Sequence, residues 1–362
     1  MASIKLKGDT SGEVIISAPS VAGASTLELQ ATNGTIATTA DINTFYNSLG
    51  NRNLIINGKM QVAQRATSVT GITAENYYTV DRWRVLVSGG TWTQSKDTDV
   101  PPAQGFGNSV KMLCTTSNPS LAAANALQIR TRLEGQNIQQ LKYGTTFAES
   151  LTYCFWIKSN KTGTYVTELY NIDATKQVSK TFTINDADTW EKKTITFDGD
   201  TLSGFDNDND NSLQIGIFLS AGTNYTSGTL QTTWAAADNT NRAVGQVNLA
   251  DAVNNYVNIT GVQLEAGTTA TPFEHIPYGI ELERCNRYFF NFSGTLHGGN
   301  YSSNGFVTGV FPTEMRVAPT ITFSAARTPL VGSGFGYSKP EFFSGYMGAN
   351  PYVANLAADA EL

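Results

Sequence analysis

Asp206-Asn-Asp-Asn-Asp-Asn211 is the densest run of oxygen ligands in this sequence. The alternating carboxylates of Asp206, Asp208 and Asp210 could offer several oxygens to one hard cation, calcium above all, from a single loop. The spacing satisfies only part of the EF-hand rule, which wants glycine sixth and glutamate twelfth, where this chain has Asn211 and Ile217. A structural calcium site is one reading. A polar loop between two strands, held by Asx turns, is the other.

A Ser-His-Asp or Cys-His mechanism would have to use one of two histidines, His275 or His297. His275 lies between Pro272 and Pro277, His297 opens His297-Gly-Gly299, and neither GxSxG nor HExxH is present. Glycoside hydrolysis needs only two carboxylates across a cleft, and Glu134, Glu149, Glu168, Asp173 and Glu191 are the candidates for it. No repeat of fixed period accompanies them, so acids on exposed strands and loops are the plainer reading. The chain is expected to be non-enzymatic and, calcium at 206–210 apart, to need no cofactor.

Sugar recognition would call for an exposed aromatic platform beside amides and carboxylates. Trp92, Tyr225, Trp234 and Tyr301 stand in polar or loop-like contexts and are the candidate ligand-binding residues. Trp83, Trp156 and Trp190 fall in strand patterns and are expected in the core. The runs Phe335-Gly-Tyr337 and Phe342-Phe-Ser-Gly-Tyr346 suit either a tip surface or packing between subunits.

Strands must position these groups. Hydrophobic residues make up 40% of the 362, enough for a sizeable core, while charged residues are only 15%, below the ~25% usual for soluble proteins. Thr, Asn, Ser and Gly fill the gap and favour turns and β-surfaces. Leu151–Lys158, Tyr165–Tyr170, Trp190–Phe197 and Leu213–Leu219 read as strands, and Lys161-Thr-Gly-Thr164 as a hairpin turn. Leu213, Ile215, Ile217 and Leu219 share one face; Tyr256, Asn258, Thr260, Val262 and Leu264 share a face of a closing strand. The spacing predicts an all-β two-sheet sandwich over 51–272, which the resemblance given below makes a jelly roll, a helical linker over 273–289, and a small β-domain over 290–362. Ala354–Leu362 is expected as an exposed tail. Residues 1–50 carry short alternating runs too small for a core of their own, followed by a short helix over Ile42–Leu49 capped by Asp41.

A net charge of −6 and a pI near 5.1 argue against nucleic acid or an anionic membrane as partner. The pairs Arg82/Arg84 and Arg130/Arg132 each point to one strand face and are expected as a solvated stripe. Cys114, Cys154 and Cys285 include no CxxC, and Cys154 is expected as a buried free thiol. No signal peptide or membrane span is read, which fits synthesis in a reducing cytoplasm.

Two phrases add context. One is Asn53-Leu-Ile-Ile-Asn-Gly-Lys-Met60 through Gln64-Arg65, closed by Tyr78-Thr-Val-Asp-Arg-Trp83. The other is Gly261-Val-Gln-Leu-Glu-Ala-Gly267, Thr271-Pro-Phe-Glu-His-Ile-Pro-Tyr278 and Glu281-Leu-Glu-Arg-Cys-Asn-Arg-Tyr-Phe289. Over roughly residues 51 to 290 the sequence resembles the β-jelly-roll adhesin modules of bacteriophage tail fibres and other virion appendages. Tyr153-Cys-Phe-Trp-Ile-Lys158 and Trp190-Glu-Lys-Lys-Thr-Ile-Thr-Phe197 are also similar to carbohydrate-binding jelly rolls. The resemblance implies a homotrimeric structural protein of the virion, attached to tail or capsid proteins through residues 1–50 and facing host-surface glycans. A head fibre or capsid decoration protein, or a polysaccharide-depolymerising tailspike, are the alternatives.

Overall fold

The computed structural model describes residues 3–7, 13–17, 51–297, 299–301, 304–326, 337–348 and 352–362. Two compact units, Met1–Tyr46 and Asn47–Leu362, divide the chain. In the first, β1 (Ser3–Lys7) and β2 (Glu13–Ser17) form an antiparallel pair with Ser3 opposite Ser17. The expected Ile42–Leu49 helix lies outside the described residues.

The second unit opens with a sandwich. Its strands are β3 (Ser68–Ile72), β4 (Asn76–Tyr77), β5 (Arg84–Ser88), β6 (Thr91–Asp97), β7 (Ser109–Thr116), β8 (Ala126–Glu134) and β9 (Leu151–Ser159). They continue with β10 (Gly163–Asn171), β11 (Lys176–Ile184), β12 (Glu191–Phe197), β13 (Asn211–Ala221), β14 (Ala235–Ala236) and β15 (Tyr256–Ala266). One sheet has the order β14-β11-β10-β13-β8-β5-β4 and the other β12-β9-β15-β7-β6-β3, all antiparallel. This is the expected all-β jelly-roll class. The inward faces meet in one core that includes Trp83, Phe155, Tyr165, Phe197, Ile215 and Ile217. Period-two alternation builds it: Leu213, Ile215, Ile217 and Leu219 all reach that core from β13.

Two local expectations fail for identifiable reasons. Lys161-Thr-Gly-Thr164 does not close a hairpin, because β9 and β10 lie in different sheets; the turn carries the chain from one layer to the other. In β15 the predicted face changes halfway. A register shift between Thr260 and Gln263, with Gly261 at φ +61°, adds one residue to the strand. Val257, Ile259, Val262 and Leu264 therefore face the core, while Asn258 and Thr260 do not. Gly261 also leaves room for the ring of Phe106, whose Cζ would lie 2.5 Å from any Cβ there.

The phrases that carry the family resemblance meet in one seam. Asn53 Nδ2 donates to Val262 O (3.1 Å), and Asn53 Oδ1 accepts from Leu264 N–H (3.1 Å). Glu274 accepts from the N–H groups of Asn51 (2.6 Å) and Asn53 (2.8 Å), Asn57 N–H donates to Glu281 (2.6 Å), and Trp83 Nε1 donates to Asn57 O (3.2 Å). Gly58 packs so closely on Val262 that a Cβ would fall 2.1 Å from its carbonyl oxygen. These residues tie the start of the sandwich to its closing strand and to the following helix, Tyr278–Asn286.

The C-terminal module contains β16 (Phe289–His297), β17 (Gly299–Tyr301), β18 (Asn304–Val310), β19 (Thr320–Ala326), β20 (Tyr337–Ser338), β21 (Phe342–Gly348) and β22 (Tyr352–Asp359). Sheets ordered β16-β22-β19 and β17-β18-β21-β20 accompany a separate core of Val307, Phe311, Met315, Phe343, Leu356 and Ala358. The expected exposed tail is therefore corrected. Residues 352–359 form the central strand of the three-stranded sheet, and Ala360 and Leu362 are buried.

Candidate functional site

Alternation in the seven-stranded sheet sends a second set of side chains away from the core, and these are mostly polar. Register places Arg84 opposite Arg130, Arg130 opposite Gly216, and Gly216 opposite Glu168. One step along, Arg132 faces Gln214, which faces Tyr170, which faces Gln177. Gln128 completes the floor, opposite Leu86 and Phe218. Two like charges in direct cross-strand register repel. Here the turn before β4 answers by supplying Glu75, whose Oε1 lies 2.8 Å from Arg84 Nε and also pairs with Arg130.

The far side of this face is bounded by the 222–247 loop. Arg242 reaches back to grip both oxygens of buried Glu168 (2.6 and 2.7 Å), with its guanidinium 5.4 Å from the Tyr170 ring and 5.8 Å from Tyr225. Val166, Phe218 and Ala243 make a small apolar cluster beneath the loop. Gly216 leaves a gap in the floor that the Gln128 amide crosses; a Cβ there would meet Gln128 Nε2 at 2.5 Å. Gln128 Nε2 then donates to Glu168 at 3.4 Å.

Cationic charge on this face exceeds its partners. Arg84 and Arg130 share Glu75, and Arg132 makes a neutral bond, Nε to Gln214 Oε1 at 3.1 Å. Among the described residues no carboxylate lies within ion-pair distance of Arg132. Burial and then the neighbouring Arg130 push the Arg132 guanidinium down to about 10; burial, partly opposed by Glu75, also lowers Arg130. Several buried polar atoms on the same face have no protein partner: Gln128 Oε1, Arg130 Nε, Gln177 Oε1 and Ser179 Oγ. Each such atom costs roughly 1–3 kcal/mol unless water or a ligand satisfies it.

The structure disperses the residues singled out from sequence. Trp92 is corrected from platform to core: it is 0% exposed, inward on β6, with Nε1 donating to Gly89 O at 3.3 Å. Tyr225 is half-buried on the Thr223–Thr226 helical turn, beside the arginine face. Trp234 is half-buried at the rim of the sandwich core, edge-on to Tyr143 with Nε1 donating to Asp198 O (2.7 Å). Tyr301 ends β17 in the C-terminal module, and its side chain is not among those described. Trp83 is in the core as expected, whereas Trp156 faces outward from β9 and Trp190 is half-buried on Asp99.

The 206–210 loop makes several contacts within the protein. Asp208 Oδ1 accepts from Asp210 N–H in an Asx turn (3.0 Å), and Asp210 pairs with Arg316 of the C-terminal module (3.1 Å). The peptide carbonyls of Asp208 and Asp210 accept from Gln136 and Gly135 (2.8 and 3.2 Å). Among the described residues no three His, Cys, Asp or Glu side chains converge as a metal cage. The candidate glycosidase acids are likewise engaged: Glu134 by Arg287 (2.8 Å twice), Glu149 by Lys142, Glu168 by Arg242 and Glu191 by Lys193. Asp173 accepts from Asp206 N–H at 3.0 Å. Cys114, Cys154 and Cys285 are buried free thiols.

The expected solvated arginine stripe is also corrected. Arg82 is 1% exposed, pairs with Glu361, donates to Arg132 O (2.7 Å) and lies 3.4 Å from the Tyr288 ring centroid. The sequence signalled the Arg-x-Arg spacing. It carried no signal for Glu75, Gln214 or Arg242, which reach the same face from distant segments.

No protein-family model and no curated protein matches the chain. Among solved structures it is similar to the enzymatically active domain of bacteriophage CBA120 tailspike protein 4, at 12% identity and TM-score 0.31, covering 59% of this chain and 21% of that one. It is also similar to TmCBM61 in complex with β-1,4-galactotriose, at 9% identity and TM-score 0.29, covering 60% and 99%. A third is the family 11 carbohydrate-binding module of cellulase Lic26A-Cel5E from Clostridium thermocellum, at 13% identity and TM-score 0.27, covering 55% and 98%. The chain thus spans about a fifth of the tailspike domain's length.

Proposed function

We propose that this chain is a non-enzymatic structural protein of a tailed-phage virion, a tail fibre that presents its sandwich to glycans on the host surface. The observation that carries the adhesive part is the outer face of the seven-stranded sheet. Amides, guanidinium groups and half-buried tyrosines lie side by side there, and buried polar atoms await partners. A polyhydroxylated ligand supplies donors and acceptors of that kind and a face for a tyrosine ring to cover. Support for the virion context comes from the phrases at 53–83 and 261–289, whose resemblance is to phage appendages. In this reading the protein is made in the host cytoplasm, assembles as a homotrimer and joins the particle through residues 1–50.

Cryo-electron microscopy of the intact particle tests the position. Threefold-related density on the tail, with residues 290–362 outward, is the expected result. Density on the capsid surface would make the chain a head fibre or decoration protein instead. Release of reducing ends from a host polysaccharide, lost on replacing one carboxylate pair, would reassign it as a depolymerising tailspike.

A further inference from the structure

We infer that the outer face of the seven-stranded sheet takes an acidic saccharide, with Arg84, Arg130 and Arg132 receiving its oxyanion. This rests on the glycan-adhesin reading above and sharpens it to a ligand class. The three guanidinium groups stand in adjacent register on β5 and β8, and among the described residues Glu75 is the acidic side chain paired with them, through Arg84 and Arg130. Arg84 has a further long contact, Nη1 to the main-chain oxygen of Leu362 at 3.5 Å. Arg132 donates to a neutral amide only, so its terminal nitrogens have no anionic partner among the described residues. Protein interiors pair such charges, and a planar fork left open suits a carboxylate, sulfate or phosphate oxygen pair.

The neighbouring groups fit the rest of a sugar. Gln128, on the same face of β8 as Arg130, is fully buried with Oε1 unpartnered; Gln177 Oε1 and Ser179 Oγ are buried and unpartnered on β11, three strands away. Arg242 and Glu168 form a closed pair that adds no net charge and bounds the site. The Tyr170 and Tyr225 rings flank Arg242 on that side.

The test is an array of bacterial surface polysaccharides, each printed native and after carboxyl reduction, desulfation or dephosphorylation, probed with the full chain. The expected result is binding to native acidic glycans, about ten-fold or more above their treated copies, weakening with added salt. The treatment that abolishes binding identifies the oxyanion. Arg132→Gln should remove the preference while leaving the melting temperature near that of the parent; should that variant not fold, Arg84→Gln, at a site 28% exposed, carries the same expectation. Equal binding to native and treated glycans would overturn the inference and leave the adhesin reading standing. Binding to no glycan would overturn both.

Discussion

Two arginine-rich regions of this protein differ in how they are balanced. At the junction between sandwich and C-terminal module, four arginines meet acids: Arg82 with Glu361, Arg287 with Glu134, Arg316 with Asp210, and Arg65 with Asp81, Asp359 and Glu361. Backbone bonds accompany them, including Ala360 N–H to Tyr288 O (2.8 Å) and Arg316 N–H to Arg287 O (2.8 Å). On the outer sheet face, Arg84 and Arg130 share one glutamate and Arg132 ends on a neutral amide. The chemistry of the side chain is the same in both places. Matched charges make a joint; unmatched ones leave room for something from outside.

The largest effect should come from breaking the joint. Glu361→Ala leaves the buried Arg82 guanidinium without its carboxylate and should cost about 3–5 kcal/mol in urea unfolding; Arg82→Ala, which leaves Glu361 its contact with Arg65, should cost less. A loss below about 1 kcal/mol would show that the junction does not depend on this pair.

Next comes pH. Burial lifts Asp81 from 3.8 to about 6, against the bonds from Gln64 and the charge of Arg65. Its folded value lies above its unfolded one, so its contribution is full below the ordinary aspartate value and is lost as pH rises through about 6. Stability should therefore fall by up to roughly 3 kcal/mol across that window, and Asp81→Asn should flatten this part of the profile. A stability curve unchanged by the substitution would break the assignment.

Glu75→Gln acts on the other region. Removing the shared acid leaves Arg84 and Arg130 opposed in register and should cost about 1–2 kcal/mol. Thermal melts at low and high salt would check it, since screening should shrink the difference. Arg132→Gln should have the smallest effect, within about 1 kcal/mol of the parent, because it removes a crowded cation that ends on a neutral amide. A loss as large as that at Arg82 would erase the contrast between the two regions.

Much of the sandwich was legible where period-two alternation was long. Leu151–Lys158 became Leu151–Ser159, and the four apolar positions of β13 reached the core as read. Alternation gave no warning of the bulge at Gly261, because an inserted residue changes the face without changing composition. Nor did it separate Trp92, inward on its strand, from a ring in a polar loop, since its neighbours on the opposite face are polar in either case. The site was less legible still. Arg82 meets its partner 279 residues away, and Glu168 meets Arg242 across 74. Such pairings are fixed by strand order, which no local spacing encodes.

The two ends of the sandwich lie side by side: Asn51 bonds to Glu274, and Arg52 to Thr271 and Pro272. The chain leaves this body almost where it arrived. A different β-body could therefore be spliced between the same flanking segments without redirecting the polypeptide. Such a transplant would have to bring its own counterparts of Arg82, Glu134 and Asp210 to hold the module that follows. The sandwich could then be exchanged as one cassette, with the segments on either side inherited intact.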